Sequence, residues 1–280
     1  MKSRAGSSEM SCGMCYNRSI ESFGHREEIR MKILAIGNSF SQDATHYLHQ
    51  IAAADQVDLD VVNLYIGGCS LERHWMNIQN EAEEYLYEEN GESAGMHVSI
   101  QAALERKDWD YIVTQQASYD SGIPETYRPY LGNIMEYVRE RLPKAEFLLH
   151  ETWAYESDSL HADFGKYHHS QEEMYGKLSQ AYKDAAGQLG LRLIPCGDVI
   201  QELRKKDPFR YGHGGMSICR DGFHMNVIYG RYLLAAVWYR MLTGNSVCSN
   251  SYIPSTRLAP NAVFDGEVLK VIKETVDMLI

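Results

Sequence analysis

The sequence predicts a three-layer α/β/α sandwich built on a parallel sheet of five strands. Three observations lead there. From Met31 onward, short apolar runs alternate with amphipathic stretches, which is the order of βαβ units. The runs are continuous rather than alternately polar, as strands covered on both faces are. Hydrophobic residues make up 44% of the 280 and charged ones 23%, enough apolar matter for a sizeable core with no sign of disorder over most of the chain.

Lys32 to Ile36 (KILAI) is the first such run, and residues 43–54 follow with helical composition. Leu59 to Tyr65 (LDVVNLY) reads as strand two, residues 97–106 as a short helix, and Asp110 to Gln115 (DYIVTQ) as strand three. A helix over Tyr127 to Leu142 stops at Pro143, which cannot continue one. Glu146 to His150 (EFLLH) is strand four. The helix over 170–189 closes at Gly190, a residue suited to a left-handed cap. Leu191 to Ile194 gives strand five, before helices near 197–206, 226–242 and 266–279. In the second of these, Tyr232 to Tyr239 (YLLAAVWY) is apolar all round, the mark of a buried helix. Connections 69–96 and 151–169 are long and rich in Tyr, His, Glu and Trp; long ordered loops at a sheet edge more often serve function than structure.

A net charge of −11 argues against nucleic acid and against an anionic membrane surface, since both need concentrated Lys and Arg. No stretch nears the roughly 18 consecutive apolar residues of a membrane span. Residues 1–30 are polar and without hydrophobic periodicity. They read as a flexible or weakly docked extension to a single domain over 31–280. They lack the apolar centre of a secretory signal, so a reducing cytoplasm is the expected location. Cys12 and Cys15 form a CxxC, but no second pair completes a zinc set, and they read as incidental thiols. Cys69, Cys196, Cys219 and Cys248 are scattered like small hydrophobes.

Ligands of parallel sheets bind beyond the carboxyl ends of the strands, so those loops carry the chemistry. The first reads Gly37-Asn38-Ser39-Phe40-Ser41. Gly37 permits a tight turn, and Ser39 then stands at a helix start, where free backbone N–H groups favour a developing oxyanion. Alternatively Ser39 or Ser41 is a helix N-cap, a role that suits Ser41 better. Asp221-Gly222-Phe223-His224 precedes a later helix. Asp and His three apart on a tight turn can lie side by side, the carboxylate fixing the imidazole tautomer and leaving the other ring nitrogen as a base. The plainer alternative is an Asp cap beside a surface His. As a zinc site the pair lacks a third ligand at an obvious spacing. Gly67-Gly68-Cys69-Ser70 follows strand two, where glycine either lets backbone N–H groups approach a ligand or simply forms a loop. Thr114-Gln115-Gln116-Ala117-Ser118 ends strand three; its amides can donate to an oxyanion, or merely finish a strand.

In this order and on these elements, the four blocks resemble the SGNH hydrolase superfamily, also called GDSL-like esterases, and look closest to a bacterial branch labelled a domain of unknown function. The resemblance runs from about Lys32 to about Leu242. It implies a flavodoxin-like sheet of order 2-1-3-4-5. It implies Ser39 as nucleophile, His224 as general base and Asp221 as the group orienting that base, with no metal or organic cofactor. Oxyanion donors are implied at the backbone N–H groups of Ser39 and Gly68, plus one amide side chain. The family's third block usually supplies an asparagine from a GxND-like stretch. This chain reads Ala117-Ser118-Tyr119-Asp120 and places Tyr119 there. Gln116 is the first choice of replacement, because some carbohydrate-acetylesterase relatives carry Gln there; Gln115, on the opposite strand face, is the alternative.

Glu151, Trp153, Tyr155, His161, Tyr167, His168 and His169, with His74 and Trp75, offer rings with polar tips. Such groups suit a sugar's mixed surface, or else fill a small core under the loops. The expected substrate is a small acyl ester, acetyl first, on a carbohydrate or similar polar alcohol, with Asn38, Gln115 and Trp153 against it. A short-chain lipid or thioester hydrolase of the same fold, and a non-catalytic sugar-binding module, are the alternatives. The sequence does not set the number of copies in the assembly.

Overall fold

The computed structural model describes residues 30–255, 259–260 and 263–280; the CxxC and all but the last residue of the expected N-terminal extension lie outside them. The strands are β1 Met31–Gly37, β2 Leu59–Tyr65, β3 Tyr85–Glu89, β4 Glu92–Val98, β5 Tyr111–Thr114, β6 Glu146–His150 and β7 Arg192–Ile194. They form one sheet of order β4-β3-β2-β1-β5-β6-β7. The five parallel strands follow the expected 2-1-3-4-5 order, and the residues of β1 from Ile33 to Ile36 are fully buried, as a central strand's should be.

The sheet has seven strands where five were expected. Two come from the segment 69–96, expected to be a long connection. There β3 pairs antiparallel with β2 and with β4. The turn between them is Asn90-Gly91, both at positive φ (53° and 87°), the two-residue connection whose twist matches a hairpin. The same segment also holds helix α3, Leu71–Gln79, capped by the Ser70 side chain.

The remaining helices are α1 Ser39–Thr45, α2 Leu48–Ala54, α4 Ile100–Leu104, α5 Tyr130–Arg141, α6 Gln171–Leu189, α7 Cys196–Leu203, α8 Tyr229–Thr243 and α9 Gly266–Leu279. α1, α2, α7, α8 and α9 contact one another, and α3 contacts α4 and α5; α6 meets α3 and α5 through the short turn Pro124–Tyr127. Helix α8 is buried on every side from Tyr229 to Tyr239. Its start is fixed by Asn226, whose Oδ1 accepts the N–H groups of Ile228 and Tyr229. Gly190 closes α6 in the left-handed conformation. Among the described residues no helix is long and apolar enough to cross a membrane.

Register decides where the loops meet. Gly37 lies opposite Tyr65 and Ile36 opposite Thr114, so β1, β2 and β5 end level. The Ser39 turn, the glycine loop and the glutamine pair therefore leave the sheet side by side.

Candidate active site

The turn after β1 is built around a buried asparagine. Asn38 is the N-cap of α1: its Oδ1 accepts the N–H of Phe40 (2.9 Å) and the amide of Gln115 (3.1 Å). Its Nδ2 donates to the carbonyl of Cys69 (3.0 Å), which ties this turn to the glycine loop. Ser41, expected as the better cap, is instead the third residue of the helix. Its Oγ accepts the Asn38 N–H and donates to Asn63 Oδ1 (2.6 Å). Gly37 has to be glycine, because a Cβ there would stand 2.1 Å from Ser41 Oγ. What this packing leaves pointing outward is Ser39, the first residue of α1 and only partly buried.

Ser39 Oγ lies 2.9 Å from His224 Nε2. On the other side of the ring, Nδ1 lies 2.7 Å from Asp221 Oδ2. Oδ1 of the same carboxylate accepts the backbone N–H groups of Phe223 (3.2 Å) and His224 (2.7 Å), so the turn that carries the histidine also fixes its carboxylate. Partial burial pushes the Asp221 carboxyl upward, but the hydrogen bonds from the His224 ring and backbone outweigh it and hold it below the usual value. An ionised Asp221 favours the proton on Nδ1, which leaves Nε2 free to accept from Ser39. Residues 185 apart in the chain are thus set in the order hydroxyl, imidazole, carboxylate.

Two backbone donors stand near this group. The N–H groups of Ser39 and Gly68 have no hydrogen-bond partner among the described residues. Gly68 adopts a left-handed φ of 60°, which costs glycine little and other residues more. Its carbonyl accepts from the Tyr119 hydroxyl (3.1 Å).

Neither glutamine is free to act as the third donor. Gln116 is buried. Its Nε2 donates to both the carbonyl and the hydroxyl of Thr126, while its Oε1 accepts the N–H groups of Leu71 and Ala117. Gln115 is buried and donates its amide to Asn38. The expectation of Gln116 in the oxyanion hole, with Gln115 as substitute, is therefore corrected: one staples loops, the other props the Ser39 turn. Asn38 and Gln115 lie beneath the surface and do not face a substrate.

Trp153 is corrected as well. It is fully buried, stacks on Phe40 at 4.0 Å and donates Nε1 to the Phe223 carbonyl (2.8 Å), so it supports the histidine turn from below. Glu151, Tyr155 and Tyr167 are also fully buried; the first six residues of the segment 151–169, with Ser159, Phe164 and Tyr167, fill a core under the loops, whereas His168 and His169 are exposed. His74 is buried too, hydrogen-bonded to Tyr85 and pushed down to about 3 by loss of solvent. Partly exposed rings include Trp75, Tyr119 beside Gly68, and His161 and Phe223, the last two packed edge to face at 4.8 Å. Among the described residues no group of three or more His, Cys, Asp or Glu side chains is gathered to hold a metal ion.

Residues 32–265 match the family described as "Domain of unknown function (DUF4886)". The chain belongs to the DUF4886 family. A DUF4886 family protein from Bacteroides uniformis, solved by crystallography, superposes with a TM-score of 0.81 at 36% identity, over 89% of this chain and 94% of that one. A proposed SGNH hydrolase from Slackia heliotrinireducens superposes at 0.50 with 24% identity, over 75% of this chain and 98% of its own. A lipase/acylhydrolase from Enterococcus faecalis gives 0.52 with 13% identity, over 76% and 96%. This DUF4886 chain therefore has the mostly parallel, helix-flanked fold of SGNH hydrolases. No curated protein matches it.

Proposed function

We propose that this DUF4886 protein is a serine ester hydrolase. The observation that carries the proposal is the pair of contacts at His224, 2.9 Å from the Ser39 hydroxyl and 2.7 Å from the Asp221 carboxylate. In the proposed reaction His224 Nε2 takes the Ser39 proton as Oγ attacks the ester carbonyl. The tetrahedral oxyanion collapses to an acyl-serine, and His224 passes its proton to the departing alcohol. Water, activated by the same nitrogen, then releases the acid and restores Ser39. The Ser39 and Gly68 N–H groups serve the oxyanion, a role that preorganised backbone donors fill well.

The substrate class we favour is a small acyl ester, acetyl first, of a carbohydrate or similar polar alcohol. Support comes from the partly exposed Tyr119, with the Lys166 ammonium 4.8 Å from its ring centre, and from His161 beside Phe223. Rings with polar tips suit a sugar's apolar face and hydroxyl edge. These take the place first given to Trp153.

An organophosphonate serine probe tests the reading. It should label wild type at the peptide containing Ser39 and leave Ser39→Ala unlabelled. A folded wild type that takes no label overturns it. On p-nitrophenyl esters, preference for octanoate over acetate would count against the acetyl ester and favour the lipid or thioester alternative.

A further inference from the structure

We propose that Asp43 is a positioning residue, which sets the Ser39–His224 distance by gripping the Asp221–His224 turn at both ends. The inference deepens the serine hydrolase reading and rests on it. Ser39 opens helix α1, and Asp43 follows one helical turn later, on the same face. Its carboxylate is fully buried. Oδ2 accepts the backbone N–H of Met225, the residue after His224, at 2.9 Å. Both oxygens accept Nη1 of Arg220, the residue before Asp221, at 3.0 Å. Oδ1 also accepts Nε of Arg231 from α8, at 2.7 Å.

The turn between these grips is closed on itself. The Arg220 N–H donates to the His224 carbonyl (2.9 Å), the Arg220 guanidinium also donates to the Met225 carbonyl, and Cys219 bridges to Met225. These bonds join its two ends, so whatever holds Arg220 and Met225 places His224. Trp153 and Glu156 bond the carbonyls of Phe223 and Gly222 from β6's side; Asp43 supplies the link to the nucleophile helix itself. A carboxylate buried this deeply is costly unless paired, and apolar replacements of such groups often stabilise a fold. Fixing register between two catalytic elements accounts for keeping it.

Asp43→Asn keeps the side-chain volume but turns one acceptor into a donor, facing the N–H groups of Met225, Arg220 and Arg231. The kcat for p-nitrophenyl acetate should fall about 100-fold, the scale of a misplacement near 1 Å, with KM within about threefold of wild type. In a His224→Ala background the added substitution should change nothing, because residues acting through one group are not additive. A merely structural role would not produce that split or that non-additivity. Arg220→Gln, at a side chain 31% exposed, replaces one grip and serves if Asp43→Asn does not fold; its kcat should fall about tenfold, again with no effect beside His224→Ala. The proposal is overturned if the folded variant keeps kcat within about threefold of wild type, or if its loss multiplies with that of His224→Ala. Failure of the hydrolase reading shows separately, as a wild type without turnover or label, and takes the positioning role with it.

Discussion

Replacing Asp221 by asparagine leaves the shape of the turn intact and reverses one hydrogen bond. The native carboxylate uses Oδ1 for two backbone N–H groups and Oδ2 for the His224 ring. An asparagine that keeps its oxygen on the backbone must aim its NH2 at the imidazole. The ring then carries its proton on Nε2 and cannot accept the one from Ser39. Recovering the productive tautomer requires the amide to flip and give up both backbone bonds. In the variant these bonds run from backbone N–H groups to a neutral amide oxygen, and such bonds are worth about 0.5–1.5 kcal/mol each. Two such bonds make a penalty of about 1–3 kcal/mol, which at about 1.4 kcal/mol per factor of ten is a kcat loss on the order of 10 to 10², and the lost charge beside the imidazolium adds to it. The measurement is steady-state kcat on p-nitrophenyl acetate near neutral pH, beside a thermal melt of each protein. A folded Asp221→Asn with kcat within about fivefold of wild type refutes the assigned role, since a tautomer-fixing carboxylate cannot be so cheaply replaced.

Three further outcomes are expected. Ser39→Ala should lose measurable ester turnover while its melting temperature stays within about 2 °C, because among the described residues its side chain bonds only to His224. Gln116→Ala gives up four hydrogen bonds, so it should lose about 2–4 kcal/mol of stability. Its kcat should hold near wild type; a stable variant slowed on the order of 10² would return Gln116 to the oxyanion hole. Glu151 is pushed up to about 8, first by burial and then by the neighbouring Asp198. Its ordinary value is about 4.3, so between these the folded protein holds a proton that the unfolded chain has released. Stability should therefore fall as pH rises through that window. Melting temperatures at about pH 5 and pH 8 should converge for Glu151→Gln relative to wild type; equal slopes in the two proteins would remove Glu151 as the cause.

The parallel core was legible because burial on both faces leaves a plain mark: KILAI, LDVVNLY and EFLLH admit few polar positions. The β3–β4 hairpin left a weaker one. Its strands are rich in Glu, and β4 exposes nearly every residue, so composition suggested loop; the Asn90-Gly91 turn was the signal available to find it. In the site, Ser39, Asp221 and His224 were visible because each sits at a fixed place relative to a strand end or a helix start. The glutamines and Trp153 were misjudged for a common reason. An amide or indole at a strand end looks ready for a ligand, and only tertiary contacts show that Thr126, Asn38 and the Phe223 carbonyl already occupy it. Asp43 carried no signal at all, since its partners lie 177 to 188 residues away.

The two ends of the sheet have a consequence beyond the site. β7 is a three-residue strand, and β4 offers Glu92, Gly95 and five further residues, six of the seven exposed. A free strand edge is a template on which another chain can add. Here one edge is too short to seed an added strand, and the other carries a charge at its first residue and a left-handed glycine in its middle. A register shift between Leu86 and Glu88 further breaks its regularity. Such an outline resists end-to-end stacking of sheets, and it should let the protein be concentrated without forming fibrous aggregates.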